Sequence, residues 1–128
     1  MTTIEGFFSG DDLDIERDVT GITVSDPLIK AWLTIKTAPS VADAQATIQK
    51  VITTIQVIGT GQITQDGSAL NGNGTASMVF NLTAVNTALL GTGRKYYFDV
   101  QVKTLSDKVY TPDKGTIQLT QGITDATS

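Results

Sequence analysis

The sequence contains no histidine and no cysteine. Without cysteine there is no disulfide, no thiolate nucleophile and no cysteine-ligated zinc or iron–sulfur site. Without histidine there is no Ser-His-Asp or Cys-His machinery and no imidazole-ligated metal. An enzyme built on this chain is confined to carboxylate or lysine chemistry. Charge is sparse as well: 17% of residues are charged, against about 25% in ordinary soluble domains. Threonine fills the gap with 21 copies. It is β-branched, uncharged and hydrogen-bonding, which suits half-exposed strand faces. Sparse charge also suits a surface in lasting contact with other proteins, because charged side chains are depleted at interface cores. Composition alone leaves both explanations open.

The 128 residues fit a single domain, 1–128, large enough to bury a core without staples. The net charge is −4 and the Lys and Arg residues are scattered, so there is no basic stripe for nucleic acid. No stretch approaches the roughly 18 apolar residues of a membrane span. The first ten residues carry Glu5 and no basic segment, unlike a secretory signal. The expectation is a soluble protein made in the cytoplasm and not secreted, so the sequons at Asn73 and Asn81 read as chance.

Period-two alternation dominates the chain. Leu13, Ile15 and Val19 face one way, and Asp12, Asp14, Glu16 and Asp18 the other. Ile29, Ala31, Leu33 and Ile35 share a face opposite Lys30, Trp32, Thr34 and Lys36. Tyr96, Phe98, Val100 and Val102 oppose Tyr97, Asp99, Gln101 and Lys103. Ser40 and Asp43, followed by Val41, Ala44 and Ile48 at helical spacing, predict a short crossover helix at about 41–50, with a β-branched strand from Val51 to Ile58. Thr83 to Leu90 reads as one further helical turn. Asp66-Gly67 and Asn71-Gly72-Asn73-Gly74 are hairpin-turn signals. Short strands at regular spacing, with no helix–strand alternation, predict an all-β antiparallel sandwich. An N-terminal arm (1–9) and a small polar tail (121–128) flank it.

Few residues suggest chemistry. Alternate carboxylates on a strand lie roughly 7 Å apart. The ladder Asp12, Asp14, Glu16, Asp18 therefore reads first as a solvated edge face and second as a protein interface. A Ca²⁺ site comes last, because calcium needs oxygens converging on one point. No pair of acids stands out for glycoside hydrolysis. The Gly-x-Gly runs lack the continuation of a phosphate loop. Trp32, Tyr97 and Tyr110 suggest an aromatic platform for sugar, against the alternatives of Trp32 packed under the 41–50 helix and Tyr97 paired with Tyr110 across the last hairpin.

Several segments, in order and spacing, resemble a bacteriophage family. They are Gly10-Asp11-Asp12, Lys30-Ala31-Trp32-Leu33-Thr34-Ile35-Lys36, Ala42-Asp43-Ala44 and Gly61-Gln62-Ile63-Thr64. Phe80-Asn81-Leu82-Thr83 with Asn86-Thr87 follows, then Tyr96-Tyr97-Phe98-Asp99-Val100-Gln101-Val102. Tyr110-Thr111-Pro112, Gly115-Thr116-Ile117 and Ile123-Thr124 complete the set. Together they span nearly the whole chain and resemble the N-terminal domain of the siphophage upper baseplate protein and related small virion proteins. The resemblance implies an immunoglobulin-like sandwich, no enzymatic role and no cofactor. It also implies location in the virion, with other virion proteins (tail, baseplate or capsid subunits) and copies of itself as partners. Family members carry long C-terminal parts after this domain. A chain of this length is accordingly expected to act as an adaptor or docking subunit, or as a capsid decoration protein, rather than to carry a receptor-binding fibre. The expected contacts are Ile4, Phe7 and Phe8 of the arm, the ladder Asp12, Asp14, Glu16 and Asp18, the aromatics Trp32 and Tyr97, and the tail.

Overall fold

In a computed structural model, the described residues are 2–5, 10–38, 40–42, 45–91 and 94–118. The alternation drives them into strands. These are β1 (Thr2–Ile4), β2 (Leu13–Val19), β3 (Leu28–Lys36), β4 (Ile48–Ile52), β5 (Gly61–Ser68), β6 (Asn71–Leu82), β7 (Lys95–Thr104) and β8 (Val109–Gln118). One helical turn, α1 (Ala84–Thr87), lies between β6 and β7. A five-stranded sheet has the order β1-β8-β7-β3-β4, and a three-stranded sheet the order β2-β6-β5. Neighbours pair antiparallel, except that β1 runs parallel to β8. Strands β2, β6 and β5 thus occupy the B, E and D places of an immunoglobulin-like sandwich, and β8, β7, β3 and β4 the G, F, C and C′ places.

The two inner faces make one core. Phe80 and Ile63 of the smaller sheet meet Leu33, Ile35, Val100 and Ile117 of the larger, all essentially inaccessible to water. Each such side chain contributes roughly 1.5–3 kcal/mol of burial, so no B–F disulfide is needed. The lone tryptophan departs from the immunoglobulin pattern. Trp32 sits on the C-place strand but on its outer face, and Leu33 takes the core position.

Four local expectations are corrected. The helix expected at about 41–50 does not run its length: Ile48–Ile52 is strand β4, pairing Ile48 with Ile35 and Ile52 with Ala31; before it Gln45 is in a 3₁₀ turn, its N–H donating to the Ala42 carbonyl (2.8 Å), and Asp43 and Ala44 lie outside the described residues. Ile48, Lys50 and Ile52 fit period two as well as Val41, Ala44 and Ile48 fit a helix, and pairing with β3 decides between them. Residues 53–58 are not strand; the chain there crosses from one sheet to the other, leaving Ile55 and Ile58 exposed. At the start of β3 a register shift between Leu28 and Lys30 puts Leu28, not Ile29, into the core. The β5–β6 hairpin turns at Ala69-Leu70, and the Asp-Gly and Asn-Gly signals fall within β5 and β6 beside register shifts.

The bridging turn is tied down by threonines. The Thr83 hydroxyl accepts from the Asn86 N–H, and the Asn86 side chain accepts from the Thr83 N–H, a reciprocal cap. Thr87 is fully buried; its hydroxyl donates to the Asp11 carbonyl (2.6 Å) and accepts from the Gly10 N–H (3.0 Å). Replacing Thr87 by Val keeps the shape and removes both hydrogen bonds, so urea unfolding should show a loss of about 1–3 kcal/mol. An unchanged midpoint would mean that water replaces the hydroxyl at no cost.

Candidate interaction surface

Closure of the sandwich leaves two outer faces. On the smaller sheet, β2 presents Asp14, Glu16 and Asp18 outward while Ile15 is buried. Asp12, just before β2, accepts from the Ala84 N–H at the start of α1 (2.8 Å). Asp14 accepts from the Asn81 side-chain amide on β6 (2.7 Å). Glu16 and Asp18 are exposed beside half-buried Val79 and Ser77. Asp12 and Asp14 therefore do local structural work, and Glu16 and Asp18 are the acids presented to solvent. No group of three or more Asp or Glu that could hold a metal ion occurs among the described residues.

The outer face of the larger sheet is different in kind. It carries Lys30, Trp32, Thr34 and Lys36 from β3, Gln49 and Val51 from β4, and Lys95, Tyr97, Asp99, Gln101 and Lys103 from β7, with Lys114 opposite Asp99 on β8. Trp32 lies between Val51 and Gln101 and is half-buried. No helix among the described residues covers it; the Lys30 ammonium lies 5.2 Å from its ring centroid. Tyr97 pairs with Lys36 and Thr116, two rows along the same face. Tyr110 pairs with Val102, whose side chain faces inward, so it joins neither Tyr97 nor the Trp32 face. The platform of three aromatics does not form.

The sequence reading missed Arg17. It falls in the inward-facing set between Ile15 and Val19, where alternation alone marks it as unusual. Its guanidinium pairs with Asp113 of β8 and lies 5.7 Å from the Phe98 ring centroid, joining the two sheets. Ile4 is not on a free arm: β1 pairs with β8, Ile4 beside Ile117, and Ile4 packs against the core. Phe7, Phe8 and the tail 121–128 lie outside the described residues.

At the end of the sandwich where β2 leads into β3, a cleft of about 300 Å³ opens between Thr20, Ile22, Thr23, Asp26, Val102 and Tyr110. Asp26 latches this end. Its carboxylate accepts from both the hydroxyl (2.7 Å) and the N–H (2.8 Å) of Ser106 in the β7–β8 turn. The Ser106 hydroxyl bond, ahead of its N–H and the nearby Lys108 charge, holds the Asp26 carboxyl below its ordinary 3.8. A carboxyl lowered by folding stabilises above its unfolded value and loses that contribution as pH falls through the folded one. The Ser106 amide resonance should therefore titrate with a midpoint below 3.8. A midpoint at or above that value would remove the latch. No family model matches this chain. No curated protein matches it either.

At the opposite corner, the crossing from β4 to β5 exposes Ile55, Val57 and Ile58, and the α1 segment exposes Val85 and Leu89. The two are neighbours, because the Asn81 N–H donates to the Thr60 carbonyl (2.9 Å). Lys50 steadies the crossing by donating to the Gly59 carbonyl (2.9 Å), and burial pushes its pKa down. Both outer faces and this corner offer contact surface. The acid lining the loop-end cleft is Asp26, already engaged by Ser106.

Proposed function

We propose that the chain is a non-enzymatic structural protein of a bacteriophage virion, a tail or baseplate adaptor that works by protein–protein docking. The phage setting rests on the segment resemblance. The observation that carries docking is the outer face of the larger sheet, where Trp32 and Tyr97 stand among lysines with no further element of the described residues packed on them. Half-exposed aromatics ringed by polar and charged groups are what protein interfaces use as anchors. The exposed aliphatic corner at Ile58 and Val85 adds apolar contact area of the same use.

A carbohydrate-binding role is less well supported. Lys30 occupies one face of Trp32, where a sugar ring would stack, and Tyr110 belongs to the other side of the sheet. Hydrolysis would need two carboxylates facing across a cleft, and the loop-end cleft offers Asp26.

Capsid decoration is the alternative within the structural class, and it differs only in place. Immunogold labelling of intact virions separates the two. Gold at the tail or baseplate is the expected result. Gold spread over the head shell would replace the adaptor with a decoration protein, and virions without gold would overturn the virion reading.

A further inference from the structure

Charge is divided between the sheets. Of the nine Lys and Arg residues, Arg17 alone belongs to a strand of the smaller sheet, and it is turned inward to Asp113. The outer face of that sheet carries Asp14, Glu16 and Asp18, with no Lys or Arg of the described strands on the same face. The outer face of the larger sheet carries Lys30, Lys36, Lys95, Lys103 and Lys114, with Asp99 among them and Lys103 paired at its edge with Asp107 of the β7–β8 turn (3.2 Å). Each face also has an apolar residue beside its charges: Val79 lies between Glu16 and Gln62 on the acidic side, and Trp32 with Val51 stands among the lysines on the basic one. The faces lie on opposite sides of the sandwich, so no molecule can satisfy one with the other.

We infer that copies of this chain stack face to back, the acidic β2-β6-β5 face of one copy on the basic β8-β7-β3-β4 face of the next. The inference rests on the docking function proposed above and names a second copy as the partner. Its support is charge complementarity beside apolar residues on each face, which aligns partners and disfavours like-on-like contact. The contact is heterologous, because the two patches differ, and it therefore builds a ring or an open stack rather than a two-fold dimer. It also accounts for the acidic ladder, whose outermost members Glu16 and Asp18 would meet lysines of the neighbour in place of water.

Two charge-reversed variants test this by sedimentation. Glu16→Lys/Asp18→Lys turns the smaller sheet's face net basic, so both faces repel; Lys30→Glu/Lys103→Glu cancels the net positive charge of the larger sheet's face and leaves the acidic face without a complement. All four positions are outward-facing, so a preserved circular dichroism spectrum is expected, with a small drop in melting temperature for Lys30→Glu/Lys103→Glu from loss of the Trp32 and Asp107 contacts; both are checked first. The unaltered protein should self-associate at about 0.01 M salt and dissociate towards about 1 M, as the screening length falls from about 30 Å to about 3 Å. Each variant alone should be monomeric at low salt. Mixed together they should associate, because one retains the natural basic face and the other the natural acidic face. An unaltered protein that is monomeric at low salt would overturn the stacking, as would variants that associate singly or remain monomeric when mixed. The docking function itself would then still be judged by the virion labelling, which does not depend on self-association.

Discussion

Gly61→Ala should lower the free energy of unfolding by roughly 3–5 kcal/mol, combining a strained backbone with an overpacked contact. Gly61 opens β5 at φ +132°, a conformation that side chains rarely adopt. A methyl group there would lie 2.1 Å from the Val79 carbonyl oxygen and 3.0 Å from Ile52. The obstacle on the first side is β6 backbone, which cannot rotate away as a side chain could. The chain needs this close approach because Gly61 begins β5 immediately after the crossing from β4, where the edges of the two sheets come together. Urea denaturation measures the effect. A loss under about 1 kcal/mol would mean that β5 can shift away from β6 without harm, and that the close approach is not a requirement of the fold.

Arg17→Ala should cost about 2–4 kcal/mol. The Arg17 and Asp113 side chains are only 22% and 21% exposed. Removing the guanidinium deprives a largely desolvated carboxylate of the Arg17 charge and uncovers the Phe98 ring. Partial exposure places the figure below that of a fully buried pair. The pair joins β2 to β8, so its loss should also loosen the smaller sheet from the larger. The double variant Arg17→Ala/Asp113→Ala should lose less than the sum of the two single changes, because each single change already removes the one interaction the two residues share. Additive losses would show that the two residues act separately.

Much of this architecture is legible in the sequence. The alternation of 13–19 and of 96–102 sorts buried from exposed side chains correctly along β2 and β7. The Thr83 to Leu90 segment is legible as a helical turn, which the structure forms over Ala84–Thr87. Local pattern fails where two periods compete, as at Ile48, and where tertiary pairing decides. It also fails at bulges, which shift a strand by one residue without any change of composition; Leu28 displaces Ile29 in this way. The aromatic face was only half visible. Alternation places Trp32 and Tyr97 on outer faces, but whether a helix covers them, and whether Tyr110 joins them, depends on strand pairing. The division of charge is not legible in linear order at all. Lys30, Lys103 and Lys114 lie far apart in the chain and become one surface through the order β8-β7-β3.

The central claim is that the larger sheet's outer face is a docking surface within an assembled particle. Lysine labelling tests it most directly, by acetylating purified particles and free protein side by side and comparing peptides by mass spectrometry. Peptides of this chain should be recovered from the particles, with Lys30, Lys36, Lys103 and Lys114 protected and Lys108, in the exposed β7–β8 turn, labelled as in the free protein. Particles that lack the chain, or in which those four lysines react as fast as in free protein, would contradict the account.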